Sequence, residues 1–268
     1  VRSSSVGRLL KYRVLLWLLT SLGATQAFSA EDRPILTACG HHDYAPWNWL
    51  QGDRIVGVCA EAAQQLFGTL GFDVDLTYVG PWKRCQQMVS SGEVDLNICS
   101  FKNPERETYS HFSHTPMASN ENALFVNKAG GLEYEKPASL DGKLIGLVRG
   151  VSLGGFFDHY LLENSHVIRG ENYYRLFSML FLERIDGVII GRQSGQHLLN
   201  LYDLDEHIVD RPIPLVEGDL YFSISKKSPH YQTLSSVEDL LNTPDYQLWL
   251  QRALKRYSKL HKGYIEEN

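Results

Sequence analysis

Arg106 closes a polar loop, SFKNPER, that follows the apolar run Val94 to Cys99. A guanidinium is planar, permanently charged and donor-only, which suits it to hold a carboxylate or phosphate by two parallel hydrogen bonds. A strand whose carboxyl end opens into such a loop is where open α/β sheets place their ligands. The plain alternative is a surface arginine pairing with Glu105 or Glu107. Tyr44 and Trp82 carry flat faces that could wall a ligand, whereas Trp47 and Trp49 read more readily as packing aromatics. His41 and His42 adjoin Cys39 and raise the question of a metal. Neighbours on an extended chain point to opposite sides, and no ligand spacing for zinc is present, so neither metal nor cofactor is expected. There is no G-x-S-x-G elbow, no H-E-x-x-H and no recognisable carboxylate pair, so an enzyme is not expected.

The elements that must position these residues alternate. Ile35 to Cys39 reads as a strand, and the clustered aromatics and Pro46 of HHDYAPWNW as a loop. VGVCAEAAQQLFGTLG places Val58, Ala62, Leu66 and Leu70 on one helical face and stops at Gly71. DVDLTYV alternates as a strand. Gly80, Pro81 and Trp82 form a turn with an aromatic tip, Lys83 to Ser90 a short helix halted by Gly92, and Val94 to Cys99 a buried strand. Short βαβ crossovers imply a parallel sheet with its loops gathered on one edge. A second series follows a Gly130-Gly131 and Pro137 connector: KLIGLV, FFDHYLLEN, HVIRG, NYYRLFSMLFLER, IDGVII, QHLLNLYDL, LYFSIS. SGEVDLNI and LERIDGVI repeat one plan. Two terminal helices come after Pro229, with a polar tail from His261. Packing of those helices on the first lobe would leave two lobes joined by two strands, a clamp design.

Composition sets the outer limits. The 268 residues are 43% hydrophobic and 21% charged, ordinary for a globular chain. Arg2, Arg8, Lys11 and Arg13 precede VLLWLLTSLGA, with small residues at Ala27, Ser29 and Ala30, which reads as a signal peptide over 1–30 and a periplasmic location. A membrane anchor needs about 20 apolar residues, more than this core supplies. Without that segment 22 basic residues face 31 acidic ones, a balance of −9 against −5 for the whole chain. Nucleic acid is therefore not an expected partner. Cys39, Cys59, Cys85 and Cys99 could form disulfides in an oxidising compartment or be small buried apolar groups. Of three pairings, Cys39 with Cys85 is favoured, because both would lie at the carboxyl rim of one sheet.

Taken in order, DYAPW, VGVCAEAAQQL, PWKRC, GEVDLNI, NPER ahead of Ser113 to Pro116, and LDGKLIGLVRG resemble the extracellular solute-binding proteins of the polar amino-acid transporter type, over about residues 34 to 260. The resemblance implies an α/β, two-lobed periplasmic-binding-protein-like II fold, each lobe a mostly parallel sheet flanked by helices, with two hinge strands. Lobe 1 would be 31–125 plus 217–268 and lobe 2 would be 126–216. It implies Tyr44 and Trp82 as aromatic walls, Arg106 as the clamp on a ligand carboxylate, with Ser100 at the head of its loop, and Ser152 as a donor at the start of a lobe 2 helix.

Departures from the family pattern all add positive charge or remove negative. Gly191, followed by Arg192, stands where the family carries the acid that holds a ligand ammonium. Lys102 replaces a hydroxyl in a loop about one residue shorter, His41 replaces an acid, and Arg149 replaces a neutral residue. His41, Arg149 and Arg192 therefore join the expected site, and the expected ligand is an anion without a free α-ammonium. The alternative for these arginines is a latch onto Glu and Asp of the opposite lobe. The expected function is periplasmic capture of a small polar solute by a monomer, for delivery to a permease of the ABC transporter class. The alternatives are a ligand-sensing accessory to a membrane sensor and a dehydratase-like enzyme on the same fold, for which GRQSGQ offers no acid.

Overall fold

The computed structural model describes residues 33–267. The expected signal segment lies outside them. None of the helices described is long and apolar enough to cross a membrane.

The first lobe is built on a sheet of β1 (Ile35–Cys39), β5 (Asp73–Asp75), β6 (Leu96–Phe101), β7 (Ser110–Phe112), β8 (Ala118–Ser119) and β14 (Asp219–Ser225). Its order is β5-β1-β6-β14-β7, with β8 also on β14. The first three strands run parallel, and β14 joins β6 antiparallel. The second sheet is β11 (His166–Gly170), β10 (Leu144–Val148), β12 (Gly187–Gly191), β9 (Asn122–Asn127) and β13 (Ile208–Asp210), again three parallel strands continued by antiparallel ones. The shared plan follows from the sequence: crossover helices join parallel strands, and the strands entering and leaving each lobe run the other way.

Helices α1 (Val58–Thr69) and α2 (Trp82–Ser91) flank the first sheet; α4 (Gly155–Asn164), α5 (Tyr173–Phe181) and α6 (Arg192–Leu201) flank the second. Gly92 ends α2 at φ 83°, a left-handed turn that glycine adopts without penalty. Cys39 is bonded to Cys85, the pairing favoured by sequence, and Cys59 to Cys99. One bond ties the end of β1 to α2, the other ties α1 to β6.

Two crossings join the lobes, residues 120–121 outward and 211–218 on return. They pair with each other through Asn120 N to Gly218 O at 2.7 Å and Asn122 N to Val216 O at 2.9 Å. β9 lies wholly in the second sheet, with Gly191 opposite Asn122, so residues 122–125, which the sequence reading gave to lobe 1, sit in lobe 2. Helices α7 (Thr233–Leu241) and α8 (Pro244–Glu267) pack back on the first lobe, where Tyr246 donates to the carbonyl of Met117 at 2.9 Å.

Two local expectations change, and the reading of Trp47 and Trp49 as packing aromatics holds. HHDYAPWNW, expected as a loop, supplies β2 (Asp43–Tyr44) and the start of β3 (Asn48–Gln51), which form a small antiparallel sheet with β4 (Arg54–Val56). The aromatics of this segment reach the core, Trp47 being fully buried, and Trp49 packs edge-on against Tyr257 and His261. The polar tail is helical: α8 runs to Glu267, because buried His261 gives its last turns something to pack on.

Candidate functional site

Arg106 lies on a helical turn, α3 (Pro104–Tyr109), where the sequence predicted a loop. Asn103 caps that turn, its Oδ1 accepting the Arg106 N–H at 2.8 Å, and Pro104 at the first position has no N–H to leave unpaired. The cap rotates the side chain inward, leaving the residue only 4% exposed. Its guanidinium donates to the carbonyl of Phe101 at 2.8 Å, to Ser100 Oγ at 3.3 Å and to the carbonyl of Gly150 at 3.4 Å, and it lies over the Trp82 ring, 5.5 Å from the centroid. Among the described residues no carboxylate lies within ion-pairing distance of it. Burial lowers its pKa, with Tyr109, Glu105 and Asp158 acting in the opposite direction. A buried cation balanced only by neutral acceptors and distant acids attracts an anion strongly.

His41 supplies a second donor. Its Nδ1 accepts the Asp43 N–H at 3.0 Å, which places the ring proton on Nε2, and Nε2 is buried with no partner. Burial, then His42 and Arg106, hold its pKa well below the usual imidazole range, so the ring is neutral. The rings of His41 and His42 stack 5.2 Å apart rather than pointing in opposite directions, yet no group of three or more metal-ligating side chains exists among the described residues. The Tyr44 hydroxyl stands beside them: it accepts from Asn120 Nδ2 at 2.7 Å and shares a hydrogen bond with Ser194, and burial raises its pKa.

Ser152 is occupied. It donates to Asp158, accepts from Asn103 Nδ2 at 2.8 Å across the cleft, and lies two residues ahead of Gly154, the cap of α4. Trp82 stands as a wall, with its indole N–H on the carbonyl of Gly150 at 3.1 Å. Tyr44, Trp82, Arg106, Ser152, His41 and Gly191 thus share one cavity with room for about 20 Å³, and Ser100 lies just beneath Arg106.

Two predicted residues stay outside it. Arg192 turns to Glu121 Oε1 at 2.6 Å, to Asp210 and to the carbonyls of Arg211 and Pro212, each at 3.0 Å. It fastens the start of α6 to the outward crossing and to β13, the latch alternative in a different place. Arg149 is exposed, with the carbonyl of Arg169 at 3.4 Å. The acid missing at 191 has a steric reason. A Cβ there would meet Asn120 Nδ2 at 2.2 Å and the Tyr44 hydroxyl at 2.4 Å.

The sequence reading missed Asp43, Asn103, Asn120 and Tyr173. Asp43 sends its carboxylate across the cleft to the Tyr173 N–H at 2.7 Å, at the N-terminus of α5; burial raises its pKa, while that bond and His42 pull it down. Asn103 was readable as a cap, since Asn followed by Pro and Glu is a helix-start pattern. Nothing in the sequence marks Asn120, whose Oδ1 accepts the Gln193 N–H at 3.0 Å and stands in for the cap that Gly191 cannot provide.

The model of the bacterial extracellular solute-binding proteins, family 3, matches residues 36–265. No curated protein matches the chain in sequence. Among solved structures, the chain is similar to the amino acid ABC transporter substrate-binding protein AbpA of Streptococcus pneumoniae bound to L-arginine, with TM-score 0.67, 21% identity, and 84% of this chain and 94% of that one covered. It is similar to holo ArgBP of T. maritima with TM-score 0.64 and 16% identity, covering 80% and 93%. It is similar to the periplasmic VFT2 domain of Bordetella pertussis BvgS with TM-score 0.65 and 19% identity, covering 85% and 94%. At these identities the likeness establishes the fold.

Proposed function

The chain belongs to the bacterial extracellular solute-binding proteins of family 3, and from that premise we propose that it captures a carboxylate-bearing solute between its lobes in the periplasm and presents the closed form to an ABC transporter permease. The family is one of binding proteins, not enzymes. The observation that carries the ligand class is the polarity of the cavity: Arg106 and the unpaired Nε2–H of His41 both offer donors to one small space. Such a set favours an anion and disfavours an ammonium. The crowding at Gly191, where even a Cβ would press on the Asn120 amide and the Tyr44 hydroxyl, supports a ligand without a free α-ammonium to balance. Ligand contacts to both lobes supply the differential affinity that favours closure.

A second reading, a binding module coupled to a membrane sensor, is favoured by the direct bonds between the lobes. Asp43 on Tyr173, Asn103 on Ser152 and Trp82 on Gly150 hold the cleft closed with the protein's own groups. A ligand would then tune closure rather than create it.

Thermal shift against amino acids, mono- and dicarboxylates and polyamines tests the ligand class. A carboxylate at 100 times its Kd is expected to stabilise the protein by about 2.7 kcal/mol. Arg106→Ala is expected to abolish the shift. Stabilisation by polyamines or cationic amino acids with none from carboxylates would refute the reading.

A further inference from the structure

The cavity at Arg106 has space for about one or two waters, or for one carboxylate, and no more. Anything else a ligand carries must leave it. Phe101 and Asn122 wall this cavity and also wall a second, half-open chamber of about 350 Å³ on the hinge side, a volume typical of small-molecule sites. Both lobes build the chamber, the first through Phe101 and Tyr221, the second through Leu153, with the returning crossing supplying Glu217.

The polarity reverses between the two spaces. Lys102, the cation at the chamber, is engaged by Glu107 at 3.2 Å. Glu217 and Asp219 have no ion-pair partner among the described residues, and the Tyr221 hydroxyl stands 3.4 Å from the Asp219 carboxylate. The small cavity therefore offers donors and its neighbour offers acceptors.

We propose that the second chamber is the body subsite of the same ligand, and that the ligand is a carboxylate carrying an ammonium or guanidinium at its far end. This rests on the Arg106 reading above. The carboxylate fills the small cavity, the chain passes Phe101, and the remote cation lies between Glu217 and Asp219. Such a solute has its charges separated by several carbons, so it satisfies the crowding at Gly191 and the acids at the hinge together.

Calorimetry with 5-aminopentanoate and with hexanoate, its methyl-ended counterpart, tests this. The wild-type protein is expected to bind the amino acid about fivefold more tightly, the size of one partly screened ion pair. The double variant Glu217→Gln, Asp219→Asn is expected to lose that preference while keeping its affinity for hexanoate. Equal affinities in the wild type, or a preference that survives the double variant, would overturn the subsite. Arg106→Ala separates the two readings. Loss of both ligands supports the carboxylate site whatever the preference shows, and retention of both removes that site and the proposal with it. Binding of neither compound to the wild type would overturn the subsite, while the thermal-shift series of carboxylates decides the Arg106 reading separately.

Discussion

Gly191 has φ −54° and ψ 130°, angles open to any residue, so its lack of a side chain is a matter of space. A methyl group at this position would press on the Tyr44 hydroxyl and the Asn120 amide, the pair that links a wall of the cavity to the start of α6. Gly191→Ala is expected to lower the unfolding free energy by about 1–3 kcal/mol, the range for overpacking a close contact. The urea midpoint reads this, and an unchanged midpoint would mean that Tyr44 moves aside freely. The glycine itself was plain in the sequence as a missing acid. Its steric partner was not, because Asn120 is 71 residues away in the chain and reaches Gly191 only through the crossing.

At the scale of elements, the short α3 decides where the guanidinium points. Asn103 does two things at once: Oδ1 caps α3, and Nδ2 donates to Ser152 in the other lobe. The two are separable. Asn103→Ala removes both and is expected to cost about 1 kcal/mol in the denaturation curve, the usual value of a cap, together with a several-fold loss of affinity for carboxylate. Asn103→Asp keeps the acceptor and loses the donor, so stability is expected to stay close to wild type while affinity falls. Equal affinity in all three proteins would detach the cap from the site. The pattern Asn-Pro-Glu-Arg contained this helix start, but a six-residue helix offers too little periodicity to outweigh the polar composition of a loop.

For the whole molecule, α8 reaches beyond the first lobe. His261 on α8 and His197 on α6 share a hydrogen bond at 2.8 Å, with Trp49 edge-on to His261 at 4.9 Å and Lys262 beside them. Burial and neighbouring charge lower the pKa of each from 6.5 to about 4. A folded pKa below the unfolded one means that the unfolded chain binds more protons between those values. Stability from this pair is thus complete above pH 6.5 and is lost as pH falls towards about 4. Denaturation midpoints across that interval are expected to fall with pH in the wild type and to fall less in His197→Gln, His261→Gln. Parallel slopes in the two proteins would rule out the pair as a source of the pH dependence. The sequence reading placed His261 in a polar tail because its partners are the second lobe and a core tryptophan, neither of which is near it in the chain.

By itself the sequence determined what local pattern can encode. Apolar periodicity and glycine stops gave the alternation of strands and helices, the doubled plan gave two lobes, and the loop after a buried strand put Arg106 at the carboxyl edge of the first sheet. Tertiary structure alone decided which of the expected donors the protein's own groups already engage. Arg192 is spent on Glu121 and Asp210, and Arg149 faces solvent, whereas His41 turns an unpaired N–H into the cavity. Charge is a property of a residue type, but its availability depends on the partners that folding brings within hydrogen-bond reach, and those partners come from the other lobe and from the crossings between the two.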